Sequence, residues 1–236
     1  MALRRRAKAV LRRWRVWPPL GWVRFGGLRR STPISARFGF DRGLPIDRYY
    51  IEAFLSRHAP DIRGRVLEIG DGAYTRRFGG PQVRRSDVLH AAPGNPAATL
   101  VGDLATGAGI PQAAFECIIL TQTLQFIYDV PSAIQNVHAD LKPGGVVLAT
   151  VPGISQISRY DMERWGDFWR FTPLSARRLF EGAFAGEALA VEAYGNVLAA
   201  VAFLHGLATE ELRPRELAHN DEDYPVIITI RAQKRG

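Results

Sequence analysis

The chain has 236 residues, 47% of them hydrophobic, with 31 Lys/Arg against 23 Asp/Glu, a formal charge of +8 and one cysteine. That is enough apolar material for a proper core. A single cysteine excludes an internal disulfide and suits a reducing compartment, and no apolar run reaches the ~18 residues of a membrane span.

The charge is uneven. Residues 1–40 carry eleven Arg/Lys and no acid, while the remainder has 20 basic and 23 acidic residues, a balance of −3. The basic field therefore belongs to an N-terminal arm. A DNA-binding domain carries its basic patch on the folded surface instead. Within the arm, residues 1–17 predict a short basic amphipathic helix, with Leu3, Val10, Leu11 and Trp14 near one face, stopped by Pro18 and Pro19. Such a helix suits an anionic membrane surface, so residues 1–30 are a candidate peripheral membrane contact. A solvated tail or an organellar transit peptide fits the same composition. Residues 20–45 read as an irregular linker, and the body is taken as 41–236.

The body opens with a helix from Pro45, whose Ile46, Tyr49, Tyr50, Phe54 and Leu55 have helical spacing, ending at Pro60. Strands and helices then alternate: strand 65–70, a short helix over 75–78, and strands 83–89, 98–104 and 115–122. Helix 131–141 and strand 146–152 follow. The tail predicts helix 173–180, strand 187–196, helix 197–212 and a last strand over 224–233. Near-continuous apolar strands separated by helices imply a parallel sheet covered on both faces. Cys117, inside the apolar run FECIIL, reads as a buried small hydrophobe.

The stretch Arg65–Tyr74, RVLEIGDGAY, carries the first chemical signal. Parallel α/β sheets bind ligands at the carboxyl ends of their strands. Gly70 and Gly72 follow such a strand and allow a tight turn close to a ligand. A dinucleotide site would show G-x-G-x-x-G and seat a pyrophosphate. Here the third glycine is missing, and Glu68 and Asp71 place negative charge where a diphosphate would sit. The pattern suits a ligand with a cationic part and no phosphate.

Glu68-Ile-Gly-Asp-Gly resembles the first motif, E-x-G-x-G, of class I S-adenosylmethionine-dependent methyltransferases. Gly102-Asp103-Leu104, AAFECIILTQTLQFI and LKPGGVVLATVP resemble three further motifs of that family in order. The resemblance covers about 60–235 and is greatest to the type 11 members; DFWRFTPLSARRLFEGAF is similar to a stretch in members found with glycan-building enzymes. Tyr74 stands where the family often has a third glycine, and Glu116 replaces the usual Asp before the fourth strand.

The resemblance implies a Rossmann-like α/β fold: a seven-stranded, mostly parallel sheet with helices on both faces and an antiparallel last strand. It implies S-adenosyl-L-methionine as cofactor, held by Glu68, Gly70, Asp71, Gly72, Asp87, Asp103, Leu104 and Thr121. Asp87 would take the ribose hydroxyls from the end of the second strand, and Asp103 with Leu104 the adenine. Tyr49 or Tyr50 is a candidate contact for the cofactor's amino-acid end.

On the acceptor side, residues 159–170 alternate aromatics and acids, a pattern suited to sugars. Gln122, Trp165 and Arg170 are the candidate substrate contacts, and Asp167, then Tyr160, the candidate bases that a hydroxyl acceptor requires. The five histidines are scattered, without metal-ligand spacing. The expected activity is O-methylation of a small molecule or saccharide in the cytoplasm, with no metal. A nucleic-acid (RNA) methyltransferase tethered by the arm, and an inactive partner that keeps the fold, are the alternatives.

Overall fold

The computed structural model describes residues 18, 22–24 and 26–236, so the helix expected over 1–17 lies outside the described residues. The chain forms two compact units, Met1–Pro33 and Ile34–Gly236. In the first, Gly26–Leu28 makes one turn of 3-10 helix with no buried residue. No described helix is long and apolar enough to cross a membrane.

The second unit holds seven strands: β1 (Gly64–Ile69), β2 (Val83–His90), β3 (Leu100–Val101), β4 (Phe115–Thr121), β5 (Leu141–Pro152), β6 (Ala188–Tyr194) and β7 (Ile227–Gln233). Their order in the sheet is β3-β2-β1-β4-β5-β7-β6. β1 to β5 pair in parallel, and β7 runs antiparallel to both its neighbours. Seven helices surround the sheet: α1 (Ile46–Arg57), α2 (Ala73–Phe78), α3 (Val130–Asp140), α4 (Arg159–Met162), α5 (Pro173–Ala183), α6 (Val197–Leu204) and α7 (Pro214–Ala218).

The period of two along the strands sends alternate residues to two separate cores. Leu67, Ile118, Leu120 and Val147 pack with Ile134 and Val137 of α3 and with Phe180 of α5. Val66, Cys117, Ile119 and Leu148 pack on the opposite face with Ile51, Phe54 and Leu55 of α1 and Phe203 of α6. Strands buried on both faces must be apolar at every position, which is why β4 and β5 carry such runs. Cys117 is fully buried, and burial pushes its thiol up, as the hydrophobe reading requires.

Several boundaries differ from the sequence reading. β3 shrinks to two residues, because Gly102 turns where a side chain would meet the Ala108 carbonyl. α6 stops at Leu204, eight residues earlier than expected: Gly206 adopts φ +68° and lies against the Ser35 carbonyl, a contact no Cβ would allow. A 3-10 turn, Thr209–Glu211, and α7 fill the remainder. α4, capped by Ser158, was not anticipated.

β2 continues to His90, three residues past Asp87, and Asp87 pairs in register with Leu67. Asp87 is therefore not at the strand's end. Its carboxylate is 1% exposed and accepts from Arg65 Nε at 2.6 Å, from Arg85 Nη2 at 3.0 Å and from Thr99 Oγ1 at 3.1 Å. Burial would raise its pKa, but the hydrogen bonds from Arg65 and Arg85 outweigh it and hold the carboxyl below the usual range. Its contribution to stability is present above the unfolded-state pKa of about 3.9 and is lost as pH falls through the lower folded value. Asp87→Ala is expected to cost about 3 kcal/mol in urea unfolding at neutral pH, the low end for a broken buried pair because both arginines reach solvent. The variant should also lose less of its remaining stability than the wild type as pH drops below about 4.

Candidate active site

Glu68 faces inward near the carboxyl end of β1 and is 2% exposed. Its two oxygens accept from the Tyr74 N–H at 3.0 Å, the Thr75 N–H at 2.7 Å and Thr75 Oγ1 at 2.6 Å. The first N–H groups of a helix have no partner within it. The N-cap of α2 is Gly72, which has no side chain to supply one. The strand's acid does so instead and adds negative charge at the positive end of the helix. Gly70 (φ +109°) and Gly72 (φ +71°) make the turn between them, in conformations that other residues rarely adopt. Asn95 Nδ2 donates to the Gly70 carbonyl at 2.8 Å, and Asp71 Oδ1 accepts from the Ala73 N–H at 2.9 Å.

This loop edges a cleft of about 680 Å³ at the carboxyl ends of β1, β4 and β5. One wall is the start of α1 with Tyr74. Arg48 Nη1 donates to the Tyr74 hydroxyl at 3.3 Å, and Arg77 pairs with Glu52 at 2.6 Å. Asp47 is 7% exposed, its Oδ1 has no hydrogen-bond partner, and burial pushes its carboxyl up.

The wall after β4 is made of amides. Gln122 sits at φ +49°, a strained conformation for a residue with a side chain, held by its N–H on the Thr150 carbonyl at 2.9 Å. Gln125, 5% exposed, donates Nε2 to Gln122 Oε1 at 3.1 Å, and its own Oε1 has no partner. Thr121 also lines the cleft.

The third wall follows β5. Arg170 donates to both oxygens of Asp167, at 2.6 and 2.9 Å, and to the carbonyls of Gln156 at 2.5 Å and Trp169 at 2.7 Å. The Ser158 N–H completes Asp167 at 2.9 Å.

Seven of the expected residues thus line one cleft: Glu68, Gly70, Asp71, Thr121, Gln122, Asp167 and Arg170. Their roles shift in several cases. Burial would raise the pKa of Asp167, yet the hydrogen bonds from Arg170 and Ser158 hold it below the usual range, so it is a weak base with its lone pairs engaged. Arg170 is turned onto protein acceptors and acts as a brace for the wall.

The other expected residues do not line the cleft. Gly72 backs the loop, and Asp87 is buried in its ion pairs. Asp103 caps its own turn, accepting from the Ala105 N–H at 2.8 Å, and Leu104 is in the core. Tyr160 is 66% exposed beneath the Arg164 guanidinium, outside the cleft. Trp165 packs edge-on against His90. Tyr50 is buried with its hydroxyl on the Leu217 carbonyl, and Tyr49 packs edge-on against it; neither reaches the cleft. Among the residues that the sequence reading passed over are Asp47 and Arg48; their one signal is a pair of opposite charges in the first turn of the helix.

The fold and the glycine-turn cleft define a mostly parallel α/β protein with a cleft at the carboxyl ends of its strands. Residues 46–182 match the family model described as Methyltransferase domain, and the chain belongs to that family. No curated protein sequence matches it. Among solved structures it is similar to an S-adenosylmethionine-dependent methyltransferase from Archaeoglobus fulgidus, with a TM-score of 0.52 and 12% identity over 79% of this chain and 94% of that one. It is similar also to the N-methyltransferase NodS from Bradyrhizobium japonicum WM9, solved with S-adenosyl-L-homocysteine (TM-score 0.52, 14% identity, 86% and 95% of the two chains). A third is phosphoethanolamine N-methyltransferase 2 from Haemonchus contortus, solved with S-adenosyl-L-methionine, at 0.52 and 15% over 80% of this chain and 53% of that one. At such identities the likeness establishes the fold.

If Glu68 serves to cap α2, the substitution Glu68→Gln, which keeps the shape and removes the charge, should cost about 2 kcal/mol in urea unfolding, the loss of charge-assisted bonds. It should also speed amide exchange at Tyr74 and Thr75. Unchanged stability would show that the carboxylate is free to serve a ligand.

Proposed function

We propose that the chain is an S-adenosylmethionine-dependent methyltransferase acting on a hydroxyl of a small molecule or saccharide. The observation that carries this reading is the Glu68-held glycine loop at the edge of a cleft whose walls present unpartnered acceptors, Asp47 Oδ1 and Gln125 Oε1. The cofactor fits that set: it is cationic at sulfur and at its amino group and has no phosphate. When bound, it supplies a methyl group already activated for in-line displacement.

The protein's task is then alignment, worth as much as ~7–11 kcal/mol in well-oriented systems. Gly70 lets the backbone come close to the cofactor, and Gly72 completes the turn behind it. Thr121, Gln122 and Gln125 sit at the end of β4, beside the acceptor's approach. Gln125 Oε1 is buried and without a donor, and is suited to orient an acceptor O–H; the strain at Gln122 is of the kind found where a side chain must be aimed. Ser155, Gln156 and Ser158 give the third wall a neutral, hydroxyl-compatible lining, fixed by the Asp167–Arg170 brace.

Calorimetric titration of S-adenosylmethionine and S-adenosylhomocysteine into the full chain is the test. Micromolar binding is expected, and Gly70→Val should weaken it at least tenfold, ~1.4 kcal/mol, by forcing a branched side chain to φ +109°. Mass spectrometry of saccharide and small-molecule acceptors then reads methylated product. Absence of binding would overturn the cofactor assignment, and methylation of RNA alone would overturn the acceptor class.

A further inference from the structure

Asp47 and Arg48 are adjacent, opposite in charge, and both line the cleft beside the glycine loop. Each charge acts on the other, and the Arg48 backbone amide favours the Asp47 carboxylate, but no ion pair joins the two side chains within 4.0 Å. Asp47 is more than nine-tenths buried, and its Oδ1 has no donor anywhere in the described chain. A buried carboxylate oxygen left this way is costly unless a partner arrives. Arg48 makes one side-chain hydrogen bond among the described residues, to Tyr74, and its guanidinium lies 5.9 Å from the Phe40 ring centroid. An arginine has five N–H donors, so most of this fork remains for a ligand.

The other charges along these walls are already engaged. Glu68 caps α2, Arg77 pairs with Glu52, Asp71 closes its own turn, Asp161 accepts from Ser158 Oγ at 2.6 Å, and Asp167 and Arg170 pair with each other. What remains is one buried acceptor of negative charge and one donor fork of positive charge, side by side. That is the complement of an amino-acid zwitterion, with an ammonium and a carboxylate on one carbon.

We infer that Asp47 and Arg48 form a two-charge clamp for the amino-acid end of S-adenosylmethionine, Asp47 taking the α-ammonium and Arg48 the α-carboxylate. This rests on the cofactor reading above. Tyr74 is a positioning residue for the clamp. It occupies the place where the first motif often carries a third glycine, and its hydroxyl holds Arg48 toward the cleft at 3.3 Å. Its ring stacks on Phe78 of the same helix, which fixes it in turn. The missing glycine thus marks a built contact rather than a damaged loop.

The test compares two ligands on the full chain by calorimetry: S-adenosylhomocysteine, which has the amino-acid end, and 5′-methylthioadenosine, which lacks it. No turnover is needed. Asp47→Asn and Arg48→Gln should each weaken S-adenosylhomocysteine by roughly tenfold or more and leave methylthioadenosine within about twofold of wild type. Tyr74→Phe, which removes one hydroxyl, should show a smaller loss with the same selectivity. Equal weakening of both ligands, or unchanged S-adenosylhomocysteine affinity, overturns the clamp. If Asp47→Asn does not fold, Arg48→Gln and Tyr74→Phe decide the matter alone. A wild type that binds neither ligand refutes the cofactor reading itself, an outcome distinct from a wild type that binds with variants that behave identically.

Discussion

The site depends on one carboxylate at the end of a strand. Glu68 ties β1 to the first amides of α2, and the loop between them can stay a bare glycine turn because its helix is capped from outside. A conventional cap would put a Ser, Thr or Asp side chain at position 72. There a Cβ would stand 3.0 Å from Val88 and face a positive φ. The capping group has been moved to the strand, where it is buried and rigid. This explains why an otherwise apolar parallel strand carries an acid near its end.

The remaining walls are stiffened by the same means, charge satisfied inside the protein. Arg170 gathers Asp167 and backbone carbonyls of residues 156 and 169, so the segment after β5 is braced without a core of its own. On the far side of β1, Asp87 with Arg65 and Arg85 joins two strands within the sheet. These pairs are structural. Of the five buried side-chain atoms without a partner among the described residues, two, Asp47 Oδ1 and Gln125 Oε1, belong to residues that line the cleft.

Much of the fold was legible because a parallel sheet buried on both faces demands uninterrupted apolar strands, and β1, β4 and β5 announce themselves that way. The antiparallel last strand also followed from the resemblance carried by the Glu68 and Leu141–Pro152 motifs, but its place between β5 and β6 is seen only in the structure. Ends were less legible. The early stop of α6 depends on Ser35, 171 positions away in the chain from Gly206, and no local pattern encodes that contact.

Site roles were legible only where backbone conformation dictates the residue type, as at Gly70. The resemblance put Asp87 at a strand end that in fact lies at His90. Asp167 and Arg170 read as reactive because acids and aromatics cluster around them, yet an Asp and an Arg three apart can as readily neutralise each other. Asp47 was passed over because a charged residue in a helix's first turn is ordinarily a solvated one, and its burial arises from the three-dimensional packing of α1 over the cleft.

The most direct measurement is a crystal structure of the full chain with S-adenosylhomocysteine. The account predicts the ligand in the cleft against Gly70 and Asp71, with the Glu68 carboxylate still on the Tyr74 and Thr75 amides and not on the ligand. A Glu68 carboxylate turned away from α2 to bind the ligand, or a ligand seated over β2 and β3 beside Asp87 and Asp103 with the cleft empty, would contradict it.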